Sequence, residues 1–195
     1  MEAMTLYFYL SEAVDADQWQ CRELVLRLHD TSARIKLMRG FKEEQDYEDL
    51  LTGKASLRSE IQSNSFFRTL PPKQQKTALA GGQIYIGGMT AAATRAAGWQ
   101  EKRYLSFYNY FSAHSHSAPM SFMRFGKHNI NFSEPSEAQR GAAATVLNVA
   151  ACCLLRVTMH YLRTAPDAER SFEKSEIKEF EKQAIEQESM LRDVG

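Results

Sequence analysis

The sequence predicts an all-α protein: a single-domain bundle of five to seven helices around a central apolar helix, with a charged C-terminal helix. Apolar side chains recur at i+3 and i+4 through most of the chain, as on one face of a helix. The run Gly141–Leu155 carries no charge and is rich in small residues, which suits a helix packed on all sides. Only Ile84–Ile86 looks like a strand, and it has no partner strand. We expect a helical domain over residues 1–166 and a charged helical tail over residues 167–195.

Composition favours a protein with a real core and no strong electrostatic field. The chain has 195 residues, of which 44% are hydrophobic, enough for one domain. Lys plus Arg and Asp plus Glu both number 24, so net charge does not indicate nucleic acid or an anionic membrane as a partner. The cysteines, Cys21, Cys152 and Cys153, are odd in number and include an adjacent pair, which argues against a disulfide framework. We expect buried thiols in a reducing compartment.

The expected location is the cytoplasm, with no membrane contact. The N-terminal stretch lacks a basic region and a small-residue cleavage site, so it does not resemble a signal peptide. The fifteen residues of Gly141–Leu155 fall short of the roughly 20 needed to cross a bilayer.

The first two helices are predicted from their apolar spacing. The segment Ser11–Arg39 has an apolar face and ends at Gly40, after two basic residues. A second helix runs from about Glu43 to Phe67, although Gly53 lowers its helix propensity by about 1 kcal/mol.

The middle of the chain has clear start and stop signals. Thr69 can cap a third helix whose first turn holds two prolines and which ends at Gly81. The next helix is expected to contain the Gly87–Gly88 pair, where another backbone can approach closely, and to end at Gly98. A further helix covers Lys102 to about His116.

The C-terminal part is predicted as an irregular segment and two helices. Met120–Asn131 breaks periodicity, and Ser133 or Ser136 caps the apolar helix that ends near Arg163. Pro166 separates this helix from the tail. The tail helix Ser171–Arg192 has a thin apolar seam, which either docks on its own domain or pairs with a second chain as a homodimer. The seam consists of Ile177, Phe180, Ala184 and Leu191.

The candidate site lies on the helix that ends near His116. Tyr104, Tyr108, Ser112 and His116 are spaced by four, so they form one polar stripe. This stripe either ties the helix end to the following segment or faces a pocket for a small polar or phosphorylated ligand. In the second case Tyr108, Ser112, His116 and the basic Arg124 bind the ligand, and Ser112 and His116 are the catalytic candidates. His116 would then be the titratable group, because the reference pKa of a histidine side chain is about 6.5.

Metal binding is the weakest alternative. His114, His116 and His128 offer three nitrogens, but His114 and His116 point to different sides of a helix. Neither the i, i+4 histidine pair nor the C-x-x-C pair typical of zinc sites occurs. We therefore expect no metal and no cofactor.

The order of helices and the stripe support a resemblance. Ala13–Arg163 resembles a family of uncharacterised bacterial all-helical proteins that share a tyrosine, a serine and a histidine spaced by four and closely followed by proline. By position, this resemblance marks Tyr108, Ser112 and His116, and it implies no reaction.

Two other functions stay open. Helical ribonucleases of the HEPN type carry an arginine followed by a histidine after four to six residues, and Arg22 and His29 have six residues between them. The chain has a distant resemblance to HEPN-type helical domains, but its motif is too poor to imply that activity. That alternative, an RNA-cleaving toxin or defence protein, needs both residues exposed together at a dimer cleft. The third hypothesis is a structural module that binds a partner through its tail.

Overall fold

The computed structural model describes residues 1–40, 45–115, 134 and 136–192, and all regular secondary structure in those ranges is helical. The predicted all-α class is confirmed. The helices are α1 (Glu2–Ser11), α2 (Ala16–Leu37), α3 (Gln45–Ser63), α4 (Ser65–Thr69), α5 (Pro72–Leu79), α6 (Met89–Arg95), α7 (Glu101–Ser115), α8 (Glu137–Thr164), α9 (Pro166–Glu169) and α10 (Lys174–Arg192). A 3-10 turn, Met38–Gly40, follows α2.

The chain forms two compact units. The α2–α6 unit comprises residues 8–101, and the α7–α10 unit comprises residues 1–7 and 102–195. These units group the residues differently from the ranges 1–166 and 167–195, which stay a prediction about domain organisation.

The core of the α2–α6 unit lies between α2 and α3. It forms from the apolar face that the 3–4 spacing of α2 predicts, joined by residues of α3, α4 and α5. Its buried members are Cys21, Leu24, Val25, Leu28, Leu57, Ile61, Phe67 and Ala78. The predicted second helix is interrupted at Asn64, whose side chain accepts from the backbone N–H of Phe67 and donates to the Asp17 carbonyl. Asn64 therefore starts α4 and ties it to the start of α2.

The segment 84–88 is a turn and not the start of a helix. Gly87 and Gly88 have φ angles of 88° and 94°, in a region that glycine reaches at little cost and an α-helix does not use. The expected helix through the Gly87–Gly88 pair is therefore wrong, and α6 begins only at Met89.

The tail packs back on the α7–α10 unit. Ser136 caps α8 in a reciprocal capping box with Gln139, and both α9 and α10 pack against α8. Ile177, Phe180 and Ala184 of the predicted seam are half-buried, whereas most of α10 is exposed. Docking on its own chain thus occurs in the structure; tail-mediated pairing with a second chain stays a prediction.

The apolar helix α8 is not buried on all its sides. Leu147 and Leu154 are each 68% exposed, although both were expected in the core. The spacing of apolar residues identifies an apolar helix, but it does not show how many sides of that helix are packed against other elements. The fifteen-residue run lies in a 28-residue helix, which by length and composition is the one helix in the described residues that could span a bilayer.

All three cysteines are buried and free, as the sequence predicts. Burial raises the pKa of the Cys21 thiol to about 11, against the opposing effect of the nearby Arg22. At neutral pH Cys21 is therefore a protonated core side chain and not a nucleophile.

Replacing Gly81 by alanine should lower the free energy of unfolding by about 1–3 kcal/mol, measured by urea denaturation. Gly81 has a φ of 71°, and an added Cβ would overlap the Ser32 hydroxyl. Gly53→Ala is the matched control: it lies inside α3 with open space around it, and should stabilise the chain by up to about 1 kcal/mol. Equal effects of the two changes would contradict this account.

Candidate functional site

The predicted polar stripe is partly visible on α7. Tyr104 is buried, its ring stacks on Tyr108 with centroids 5.9 Å apart, and Ser112 is half-buried. Phe107 and Phe111 stack in the same way, as spacing by four predicts. His116 and Arg124 lie outside the described residues, as does the side chain of His114. The predicted ligand set is therefore described only at Tyr108 and Ser112.

Tyr104 is a neutral hydroxyl at physiological pH. Burial raises its pKa to about 12, with smaller contributions from Glu2 and Tyr108 and an opposing one from Thr5. In the same unit the Tyr7 hydroxyl lies 3.0 Å from Nδ1 of His160, and their rings meet edge to face. These contacts join the first turns of α1 to α7 and α8.

Arg22 and His29 occupy the same side of α2, about 10 Å apart along its axis at 1.5 Å per residue. The Arg22 side chain is only 1% exposed. His29 is half-buried, and its Nδ1 makes no hydrogen bond within the described part of the chain. The nuclease hypothesis needs an accessible arginine, so the single chain lends it no support.

Arg22 is held by three different contacts. One guanidinium nitrogen, Nη1, donates to the Tyr9 carbonyl, and Nη2 donates to Glu12 Oε2 at 2.6 Å. The guanidinium carbon lies 4.3 Å from the centre of the Tyr9 ring. A buried cation is tolerated only when it is paired and hydrogen-bonded, and the ring face adds a further attraction. Arg22 therefore fixes the end of α1 against the first turns of α2.

A second arginine shares the same carboxylate. Nε of Arg95, in α6, lies 3.4 Å from Oε1 of Glu12. Two guanidinium groups thus converge on one carboxylate, which leaves one excess positive charge, and Arg95 is the more exposed of the two arginines at 55%. Unbalanced positive charge attracts anions.

The turn before α6 is fastened to the same cluster. The backbone N–H of Ile86 donates to the Tyr9 hydroxyl at 3.2 Å, and the rings of Tyr9 and Tyr85 meet edge to face at 5.2 Å. The positive φ at Gly87 lets the backbone pass here without a side chain in the way. Tyr9 therefore positions Arg22 through its carbonyl and its ring. It also holds the 84–88 turn in place through its hydroxyl.

These groups surround a cavity of about 160 Å³, the Arg22 cavity. Its polar lining is Tyr9, Gln18, Arg22, Gln74 and Arg95, and its apolar lining is Phe66, Leu70, Ile86 and Ala91, with Gly87 at one side. No side-chain hydrogen bond links Gln18 or Gln74 to another residue in the described ranges. Their carboxamides therefore remain available to a ligand.

A second cavity of about 300 Å³ adjoins the first. The two share Gln74, Ile86 and Gly87, and the larger one continues past Lys73 and Gly88. A charged group in the Arg22 cavity can thus carry a larger substituent that extends between α5 and the 84–88 turn.

The lining suits binding better than catalysis. Burial raises the pKa of Tyr9, while the Ile86 N–H, Arg22 and Arg95 oppose that rise, so the hydroxyl stays protonated at neutral pH. Among the described residues that line the Arg22 cavity there is no histidine or carboxylate. The described residues contain no group of three side chains able to hold a metal ion.

No protein-family model matches the sequence, and neither a curated protein nor a solved structure matches the chain. The interpretation of the site therefore rests on its residues.

Sequence reasoning marked Arg22 for its distance from a histidine and missed its role. Arg22 lies beside Cys21 and before Leu24 and Val25, inside the apolar face of α2. An arginine at a core position is itself a signal of a buried partner or ligand. No sequence pattern marked the other residues of the site, because tertiary packing alone brings them near Arg22. These residues are Glu12, Gln74 and Arg95.

Arg22→Met should lower the free energy of unfolding by about 3 kcal/mol, because Glu12 and the Tyr9 carbonyl lose their buried partner. Arg34→Met is the matched control: it breaks only the exposed pair with Asp30, at 2.9 Å, and should cost less than about 1 kcal/mol. Urea denaturation measures both. The account fails if the two substitutions cost the same.

Proposed function

We propose that the α2–α6 unit binds a small anionic ligand whose charged group occupies the Arg22 cavity. The observation that carries this proposal is the pairing of two arginines with a single carboxylate beside an open cavity. Arginine presents several N–H donors in a plane and binds carboxylates and phosphates through two bonds at once. The carboxamides of Gln18 and Gln74 add donors on the remaining sides.

The ligand class is a small phosphorylated or carboxylated molecule. The Arg22 cavity is smaller than the roughly 300–1,000 Å³ of typical ligand pockets, so it suits the charged group alone. The adjoining cavity gives space for the rest of the molecule, with Lys73 at its side. Phe66, Leu70 and Ile86 supply apolar contacts around the charged group.

The proposed ligand class is the one that the sequence-based hypothesis gave, but the proposed binding site is a different one. That hypothesis put a polar or phosphorylated ligand at Tyr108, Ser112 and His116. The described part of that stripe offers three hydroxyl groups and no cation, whereas two arginines line the Arg22 cavity: Arg22, which is buried, and Arg95, which is exposed. We therefore assign the anion to the α2–α6 unit and keep the stripe as a separate, untested hypothesis.

We also propose a cytoplasmic location. Three buried free thiols fit a reducing compartment. The apolar helix α8 is compatible with this location because it packs against α9 and α10 on one side.

Phosphate should stabilise the folded chain by occupying the Arg22 cavity. At a phosphate concentration ten times its dissociation constant the gain is about 1.4 kcal/mol. For a chain of this length, that gain raises Tm by about 3–6 °C. The measurement is a thermal melt in phosphate against chloride at fixed ionic strength, with acetate as the carboxylate probe.

Arg95→Gln tests the location of the anion. Arg95 is 55% exposed, so its replacement should leave the fold intact while removing the excess positive charge beside Glu12. We expect this variant to lose more than half of the phosphate-induced rise in Tm. Arg34→Gln, another exposed arginine that pairs with an acid, should keep all of it. Equal stabilisation of all three proteins would refute the proposal.

A further inference from the structure

Helix α8 has an exposed apolar stripe on the side away from its packed face. The stripe consists of Ala143, Leu147, Ala150, Leu154, Val157 and Tyr161. Leu147 and Leu154 are 68% exposed and Tyr161 is 52% exposed, while Val157 is half-buried. The intervals are 4, 3, 4, 3 and 4 residues, the spacing of a helix–helix seam.

The opposite face of α8 is already covered. Val149, Cys152, Met159 and Leu162 are buried there, so α8 is apolar on two opposite sides and packed on one. An exposed seam of this length therefore indicates a partner surface.

A bilayer is a poor occupant for this stripe. Helices α9 and α10 pack against α8, and α10 carries many charged side chains. To cross a membrane, α8 would have to leave these neighbours or take their charges into hydrocarbon, which is costly. A second protein helix covers the stripe without disturbing the packed side.

The stripe is complementary to itself when a second copy runs antiparallel. Small and large side chains alternate along it. In a pair centred at position 152, Ala143 meets Tyr161 of the second copy, Leu147 meets Val157, and Ala150 meets Leu154. Every layer then combines one larger and one smaller side chain, which lets two helices pack closely without voids. A parallel pair would put alanine against alanine and leucine against leucine.

We propose that α8 mediates an antiparallel homodimer through this stripe. This inference is independent of anion binding and of the predicted tail seam, whose described members Ile177, Phe180 and Ala184 are half-buried in the single chain. From Ala143 to Tyr161 the stripe is about 27 Å long, on a helix about 10 Å across. Such a contact lies at the low end of stable interfaces, which bury about 1,200 Å² or more. The dimer should therefore dissociate on dilution.

The first test is sedimentation equilibrium of the full chain over a range of concentrations. We expect a monomer–dimer equilibrium in the unmodified protein. Leu154→Glu should raise the dimer dissociation constant by about 100-fold or more, because each copy would bury an unpaired charge against Ala150 of the other. Leu154 is already exposed in the single chain, so the variant should keep its helical circular dichroism.

Matched controls separate this surface from other exposed apolar residues. Leu37→Glu on α2 and Ile185→Glu on α10 replace side chains that are 80% and 70% exposed. Both variants should dimerise like the unmodified chain. A dimer that persists in Leu154→Glu, or that is lost in Ile185→Glu instead, would overturn the proposal in favour of another interface such as the tail.

The second test determines the orientation. Equimolar Ala150→Cys and Leu154→Cys chains are mixed and oxidised mildly; the three natural cysteines are buried. The antiparallel pair predicts mainly the mixed disulfide between the two variants, whereas a parallel pair predicts Ala150→Cys linked to itself. Mainly self-linked product would refute the antiparallel arrangement.

The same experiments distinguish the dimer from other ways of covering the α8 stripe. An unmodified chain that stays monomeric at all accessible concentrations overturns the dimer. If that monomer also floats with phosphatidylcholine vesicles, and Leu154→Glu does not, the stripe is a lipid-binding surface.

Discussion

The α2–α6 unit depends on the burial of one charged side chain, Arg22. Its guanidinium needs an acceptor for each desolvated N–H, and the end of α1 supplies the Tyr9 carbonyl, the Tyr9 ring and the Glu12 carboxylate. The Tyr9 hydroxyl in turn accepts from the backbone of Ile86 and so holds the turn before α6. The need to pair the Arg22 guanidinium thus positions the end of α1, the start of α2 and the 84–88 turn.

The contacts that hold Arg22 leave an unbalanced positive charge beside the Arg22 cavity. Glu12 can neutralise one arginine, yet Arg22 and Arg95 both contact it. Complete neutralisation within the protein would have needed a second acid, and the described residues that line the cavity include none. Gln18 and Gln74 stand there instead, and carboxamides donate to an anion without opposing its charge. A bound anion would complete both the charge balance and the hydrogen bonding.

Local rules of spacing and capping predict part of the helical structure, although α1, which buries Met4 and Tyr9, was not predicted. The apolar face of α2, the cap at Ser136 and the boundary of α7 follow from local rules of spacing and capping. The 84–88 turn was mistaken for helix, because apolar spacing does not record that Gly87 and Gly88 adopt positive φ. Likewise, the composition of α8 shows that it is apolar, but not that one of its sides is exposed in the part of the chain that the structure describes. Glu12, Gln74 and Arg95 join Arg22 only in three dimensions, so no spacing rule links them.

The most direct measurement follows the arginine Nε–H signals by NMR during a phosphate titration. The account predicts that the signals of Arg22 and Arg95 shift together and saturate at the same phosphate concentration. The signal of Arg34, on the exposed side of α2, should stay in place. If the Arg22 signal does not move while the solution reaches saturating phosphate, or moves no more than that of Arg34, the Arg22 cavity is not the anion site.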